Sequence, residues 1–90
     1  MKRVHLIISG DVQGVNYRSW ARAQARELNL SGWITNRPDG AVETVVEGQK
    51  KKLEEYIKRC HKGPEVAWVE KVDTVWLEAT GELVNFSVVY

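Results

Sequence analysis

Hydrophobic positions along the chain switch between short β-like runs and a helical rhythm, and those switches mark the predicted elements. Val4 to Ser9 is an apolar, β-branched-rich run ending at Gly10, which predicts a strand entering a tight loop over Gly10 to Asn16. From Tyr17 the rhythm is helical: Tyr17, Ala21, Ala25 and Leu28 share one face, with Arg22, Arg26 and Glu27 on the other. Asn29 predicts the end of this helix, because Asn tolerates left-handed backbone. Trp33 to Asn36 and Ala41 to Glu47 are β-favouring runs joined by Arg37-Pro38-Asp39-Gly40, where Pro presets a turn and Gly accepts positive φ. Together they predict a β-hairpin.

Gly48 breaks the second of these runs, and Leu53, Tyr56, Ile57 and Cys60 then recur at helical spacing beside Lys50, Lys51, Glu54, Glu55, Lys58 and Arg59. A second amphipathic helix is expected, ended by Lys62-Gly63-Pro64. A strand from about Val69 to Leu77 follows, and the pattern does not assign its buried face. Beyond a turn at Thr80-Gly81-Glu82, Val84, Phe86, Val88 and Tyr90 alternate with Asn85, Ser87 and Val89, which predicts a half-buried terminal strand. The order β-α-β-β-α-β plus a fifth C-terminal strand predicts an α+β fold of the ferredoxin-like kind. In it two helices cover one face of a mostly antiparallel sheet. Residues 1–90 read as a single domain with no linker, repeat or low-complexity segment. That fold hosts many activities, so function has to come from particular residues.

Charge narrows the choice of partners only slightly. Thirteen Lys+Arg against twelve Asp+Glu leave a formal net charge of +1, short of the basic footprint of a dedicated nucleic-acid binder. The single Cys60 excludes an internal disulfide, and no Cys/His cluster has ligand spacing, so a reducing cytoplasm fits and no metal or other cofactor is expected. Val4 to Ile8 follows a basic Met1-Lys2-Arg3 but is too short for an export signal or a membrane span, and no membrane partner is expected. A monomer is the expected state.

The segment richest in possible chemistry is Gly10-Asp11-Val12-Gln13-Gly14-Val15-Asn16-Tyr17-Arg18. Successive N–H groups in such a strand-to-helix loop can converge on phosphate oxygens, the helix dipole adds partial positive charge, and Arg18 can supply a planar two-pronged donor. The same residues also suit a plain tight turn followed by a solvated arginine, although a cation in the first turn opposes the dipole. Physical reasoning alone leaves both readings open. The spacing of nucleotide and dinucleotide phosphate loops is absent, which disfavours triphosphate chemistry.

This segment and Gly32-Trp33-Ile34-Thr35-Asn36-Arg37-Pro38-Asp39-Gly40 together resemble the two signature segments of the acylphosphatase family. The similarity extends along essentially the whole chain, including both helices, the Lys62-Gly63-Pro64 connection and the aromatic terminal strand. The resemblance implies metal-independent hydrolysis of the carboxyl-phosphate bond of small acyl phosphates, giving a carboxylate and inorganic phosphate. It implies that Gln13, Gly14, Val15, Asn16, Tyr17 and Arg18 wrap the phosphate through main-chain N–H groups, with Arg18 as clamp, and that Asn36 holds the attacking water. A carboxamide can donate and accept hydrogen bonds but is no base at neutral pH, so water activation falls to the substrate's own phosphate oxygens or to solvent.

Three positions depart from the common family pattern. Asp11 sets an acid near the cradle, Asn29 replaces a frequent glycine at a helix end, and Val89 stands where an arginine often precedes a terminal tyrosine. Val89 thereby puts C-terminal support of the site in question. Other residues read as structural: Arg37 as a turn residue, His5 and His61 as structural or solvated, and Cys60 as core. Trp20, Trp33, Trp68 and Trp76 read as core or core-edge, and Lys50-Lys51-Lys52 as a solvated face. Two alternatives to a hydrolase stand beside it. One is a phosphate-binding regulatory module without turnover. The other is a single-stranded RNA-binding domain, against which stand the near-neutral charge and the lack of a recognition motif of that class.

Overall fold

The computed structural model describes residues 1–90, which run β1 (Lys2–Asp11), α1 (Tyr17–Glu27), β2 (Ser31–Asn36), β3 (Val42–Gly48), α2 (Lys50–Lys62), β4 (Trp68–Glu78) and β5 (Phe86–Val89). The strands form one sheet in the order β4-β1-β3-β2-β5. Every neighbouring pair is antiparallel except β2 with β5. The expected α+β architecture, with a fifth strand at the C-terminal end, is present.

Alternation decides which side of the sheet is buried. Val4, Leu6 and Ile8 of β1 lie opposite Val46, Thr44 and Val42 of β3, and all six are fully buried beneath the helices. Their neighbours Arg3, His5 and Ile7 point to the other, partly exposed face. The apolar stripes of the helices complete the core with Tyr17, Ala21 and Ala25 from α1 and Leu53, Tyr56 and Cys60 from α2. The Tyr17 hydroxyl donates to the Cys60 carbonyl at 2.7 Å, which fixes the start of α1 against the end of α2. Asn29 has φ 57, the left-handed conformation its position predicts.

The terminal strand is shorter than its alternation suggests. Only Phe86–Val89 pair with β2, Phe86 is buried against Tyr56, and Val84 and Tyr90 are 82% and 92% exposed. The half-buried strand reaching from Val84 to Tyr90 is therefore corrected. A parallel partner of six residues in β2 gives β5 only a short ladder, and the flanking residues run past it.

The tryptophans also divide. Trp20 and Trp33 are half-buried, but Trp68 and Trp76 are 63% and 41% exposed, which corrects their reading as core or core-edge residues. Both lie on β4, an edge strand with no neighbour on its outer side. The edge is interrupted by a bulge where β1 passes from Ser9 to Gly10. Gly10 has φ 130 there, and a Cβ on it would collide with the Trp68 carbonyl oxygen.

The connection from β4 to β5 is fastened by Glu47, a charged residue that is only 1% exposed. Its carboxylate accepts hydrogen bonds from Arg3 Nε at 2.6 Å, from the Thr80 amide and hydroxyl at 2.8 and 3.1 Å, and from the Gly81 amide at 3.1 Å. Burial pushes this carboxyl up, but these donors outweigh it and hold its pKa at about 2.

Candidate active site

The ends of β1 and β2 point the same way because β1, β3 and β2 are successive antiparallel neighbours. The loop after β1 and the hairpin after β2 therefore meet. Between them lies a cavity of about 250 Å³ lined by Val12, Gly14, Asn16, Tyr17, Arg18, Ser19, Asn36 and Tyr90. Arg18 comes from the first turn of α1 and Asn36 from the last position of β2. These two residues, 18 positions apart in the sequence, share one wall system as the paired motifs imply.

The loop is shaped by two left-handed residues, Gly14 at φ 76 and Asn16 at φ 64. Asn16 occupies the N-cap position of α1 without capping it through its side chain, and the first turn holds no acidic residue. None of the backbone N–H groups from Gln13 to Ser19 donates to another backbone carbonyl; the first donor is Trp20, to Asn16 at 3.1 Å. A run of uncommitted donors at a positive helix end is the arrangement an oxyanion group satisfies.

Asn36 adds a second uncommitted group. Its Oδ1 is buried and has no hydrogen-bond partner, and the residue lines the cavity. Arg18 is half-buried, and its guanidinium lies over the ring of Tyr90, with Cζ 4.7 Å from the ring centroid.

Four of the loop residues expected at the site line the cavity, namely Gly14, Asn16, Tyr17 and Arg18, and two do not. The Gln13 side-chain amide donates to the carbonyls of Arg37 and Ala41 at 2.7 and 2.8 Å, and so ties the loop to the hairpin that carries Asn36. Val15 packs against the core. Tyr90 was not among the residues expected at the site. Its arrival there depends on the parallel pairing of Thr35 with Val89, fastened by the Thr35 hydroxyl donating to the Val89 carbonyl at 2.8 Å. C-terminal support of the site thus comes from an aromatic ring on Arg18, with Val89 contributing its backbone.

Asp11 does not line the cavity; it borders a separate depression with Asp39, Glu70 and Trp68. Arg37 pairs with Asp39 at 3.2 Å within the turn, as a turn residue should. His5 contacts Glu43 at 2.6 Å on the open sheet face, and His61 is exposed at the end of α2. The buried Cys60 thiol is pushed up to about 12 by desolvation, which removes its nucleophilic form at neutral pH. No three His, Cys, Asp or Glu side chains are placed to share a metal ion. No helix is long and apolar enough to cross a membrane.

Comparison with known proteins decides what this cavity belongs to. The family model described as acylphosphatase matches residues 4–88. The chain belongs to the acylphosphatase family. An acylphosphatase of Roseiflexus sp. (strain RS-1) is 47% identical over 90 residues, covering 100% of this chain and 97% of the relative. Among solved structures, the acylphosphatase from Bacillus subtilis superposes with a TM-score of 0.96 at 30% identity, covering 100% of both chains. That of Coxiella burnetii gives 0.86 at 32% identity, covering 97% of this chain and 90% of the other. The chain is an enzyme of the acylphosphatase type, and it hydrolyses acyl phosphates.

Proposed function

We propose that this acylphosphatase binds the phosphoryl group of small acyl phosphates between Arg18 and the N–H groups of the loop ending in α1, and that Asn36 holds the attacking water. The observation that carries the reading is the cavity that Asn36 lines together with Arg18 and an uncapped helix start, the Asn36 carboxamide having an oxygen unpartnered within the protein. A water held by the Asn36 carboxamide keeps a lone pair free for phosphorus. As the water oxygen bonds to phosphorus, the phosphorus–oxygen bond to the acyl group breaks and its electron pair leaves on the carboxylate. The protons of the water pass to phosphate oxygens or solvent, because no side chain lining the cavity is a base at neutral pH. Catalysis then consists of positioning and charge stabilisation.

The lining offers no carboxylate, imidazole or thiolate, a poor donor set for a divalent cation, and this supports a metal-independent reaction. The unpaired Cys60 supports a cytoplasmic setting. The near-neutral net charge of +1 argues against an RNA platform.

The test is hydrolysis of benzoyl phosphate in the presence of chelator, with phosphate binding measured in parallel. Asn36→Ala is expected to retain phosphate binding and lose roughly 10²–10³ in turnover, by analogy with removal of one positioned polar group from an oxyanion site. Arg18→Ala is expected to lose phosphate binding. Wild-type turnover in both variants refutes the assignment, and phosphate binding without any wild-type turnover favours a regulatory cradle.

A further inference from the structure

An acyl phosphate has two parts, and the proposed site accounts for only the phosphoryl one. The polar lining of the cavity, from Gly14, Asn16, Arg18, Ser19 and Asn36, suits phosphate oxygens and a water. Of the three hydrophobic lining residues, Val12 and Tyr17 are each 1% exposed and already committed to the core, with the Tyr17 hydroxyl spent on Cys60. Tyr90 is the exception. One face of its ring carries the Arg18 guanidinium, yet the residue is 92% exposed and its hydroxyl makes no hydrogen bond within the protein. The pairing of Val89 with Thr35 sets it beside Asn36, at the rim of the cavity.

We propose that the free surface of the Tyr90 ring is the contact for the acyl group, and that it biases the enzyme towards acyl phosphates with aromatic or larger apolar acyl groups over acetyl phosphate. The inference rests on the phosphate site proposed above. With the phosphoryl group held on Arg18, the acyl group must extend towards the rim, because the inner wall is occupied by Val12 and Tyr17. The ring that stacks on Arg18 is then within one acyl group's length of the phosphate. Its flat apolar surface rewards a planar acyl group through burial and offset stacking, and offers little to a methyl group. The hydroxyl plays no part, so the contact is one of shape and apolar area.

The experiment compares benzoyl phosphate with acetyl phosphate in the wild type, Tyr90→Ala and Tyr90→Phe. The ratio of kcat/KM between the two substrates is expected to fall roughly 5- to 10-fold in Tyr90→Ala, mostly through KM for benzoyl phosphate, and to return in Tyr90→Phe. An equal loss on both substrates overturns the proposal, because the ring would then act only through Arg18. Inhibition by inorganic phosphate reports the state of Arg18 separately. Titration with benzoylphosphonate and acetylphosphonate, which do not hydrolyse, supplies a readout independent of turnover. A wild-type preference for benzoylphosphonate that Tyr90→Ala abolishes supports the acyl contact even if the catalytic roles of Arg18 and Asn36 fail, and equal affinities in the wild type overturn it.

Discussion

Glu47 ties the stability of this fold to pH in a way that can be worked out from its contacts. The carboxylate is almost fully buried and receives hydrogen bonds from Arg3, Thr80 and Gly81, so its pKa falls from 4.5 to about 2 on folding. A depressed carboxyl pKa contributes stability that is fully present above the unfolded value and is lost as pH falls through the folded one. The window is therefore pH 4.5 down to about 2. At about 1.4 kcal/mol per pH unit, the difference is worth about 3 kcal/mol. A domain of this length has a total of about 5–13 kcal/mol, so the carboxylate carries a large share. The assay is urea unfolding followed by tryptophan fluorescence at pH 7, 4.5, 3 and 2, for wild type and Glu47→Gln. The variant sets an amide N–H₂ against donors and is expected to lose about 3 kcal/mol at pH 7. The two proteins should converge towards pH 2, where wild-type Glu47 is about half protonated and most of the difference is lost. A difference that stays constant across this range would refute the assignment of the acid-sensitive component to Glu47.

Other expectations follow from the loop and its anchors. Gln13→Ala removes both bonds to the hairpin, and should lower stability by about 1–3 kcal/mol and reduce kcat by loosening Asn36 relative to Arg18, read from unfolding midpoints and benzoyl phosphate kinetics. Gly14→Ala meets no atom within 4 Å, so its penalty is the positive φ alone, about 1–2 kcal/mol. Gly10→Ala adds a collision with the Trp68 carbonyl to the same strain, and should be the more destabilising of the two in thermal unfolding.

Elements built on local pattern are legible in the sequence: both helices, the hairpin around Pro38 and Gly40, and the left-handed stop at Asn29 follow from spacing and backbone chemistry. The pairing of Arg18 with Asn36 is legible because each stands in a recognisable segment. What depends on partners far along the chain is not legible. Nothing local shows that β4 takes the sheet edge, and so Trp68 and Trp76 look like core from their chemistry alone. Glu47 fits the strand pattern as an ordinary charged residue, and its donors come from a turn more than thirty positions away. Gln13 lies inside a phosphate-binding motif, yet its side chain is spent on carbonyls 24 and 28 positions later. Tyr90 reaches the site only through the short parallel ladder with β2.

The two ends of the sheet are built on opposite terms. Glu47 pairs in register with Arg3 and Ser31, near the starts of β1 and β2, where buried charge is fully satisfied. Arg18 and Asn36 sit at the other ends, where α1 is uncapped, a cation opposes the helix dipole and a buried oxygen has no partner. A buried acceptor left unsatisfied costs about 1–3 kcal/mol, a penalty that only a hydrogen-bond donor can relieve. Asn36→Leu, of similar size, removes the acceptor and supplies apolar surface. It should therefore raise the stability of the ligand-free protein by about 1 kcal/mol, about 4–8 °C in Tm for a domain of this size, while abolishing turnover. Thermal unfolding in phosphate-free buffer measures the first effect and benzoyl phosphate hydrolysis the second. A Leu variant less stable than wild type would mean that the Asn36 carboxamide holds the hairpin in place. The strain at this end of the sheet would then have to be sought in the loop and the first turn of α1 instead.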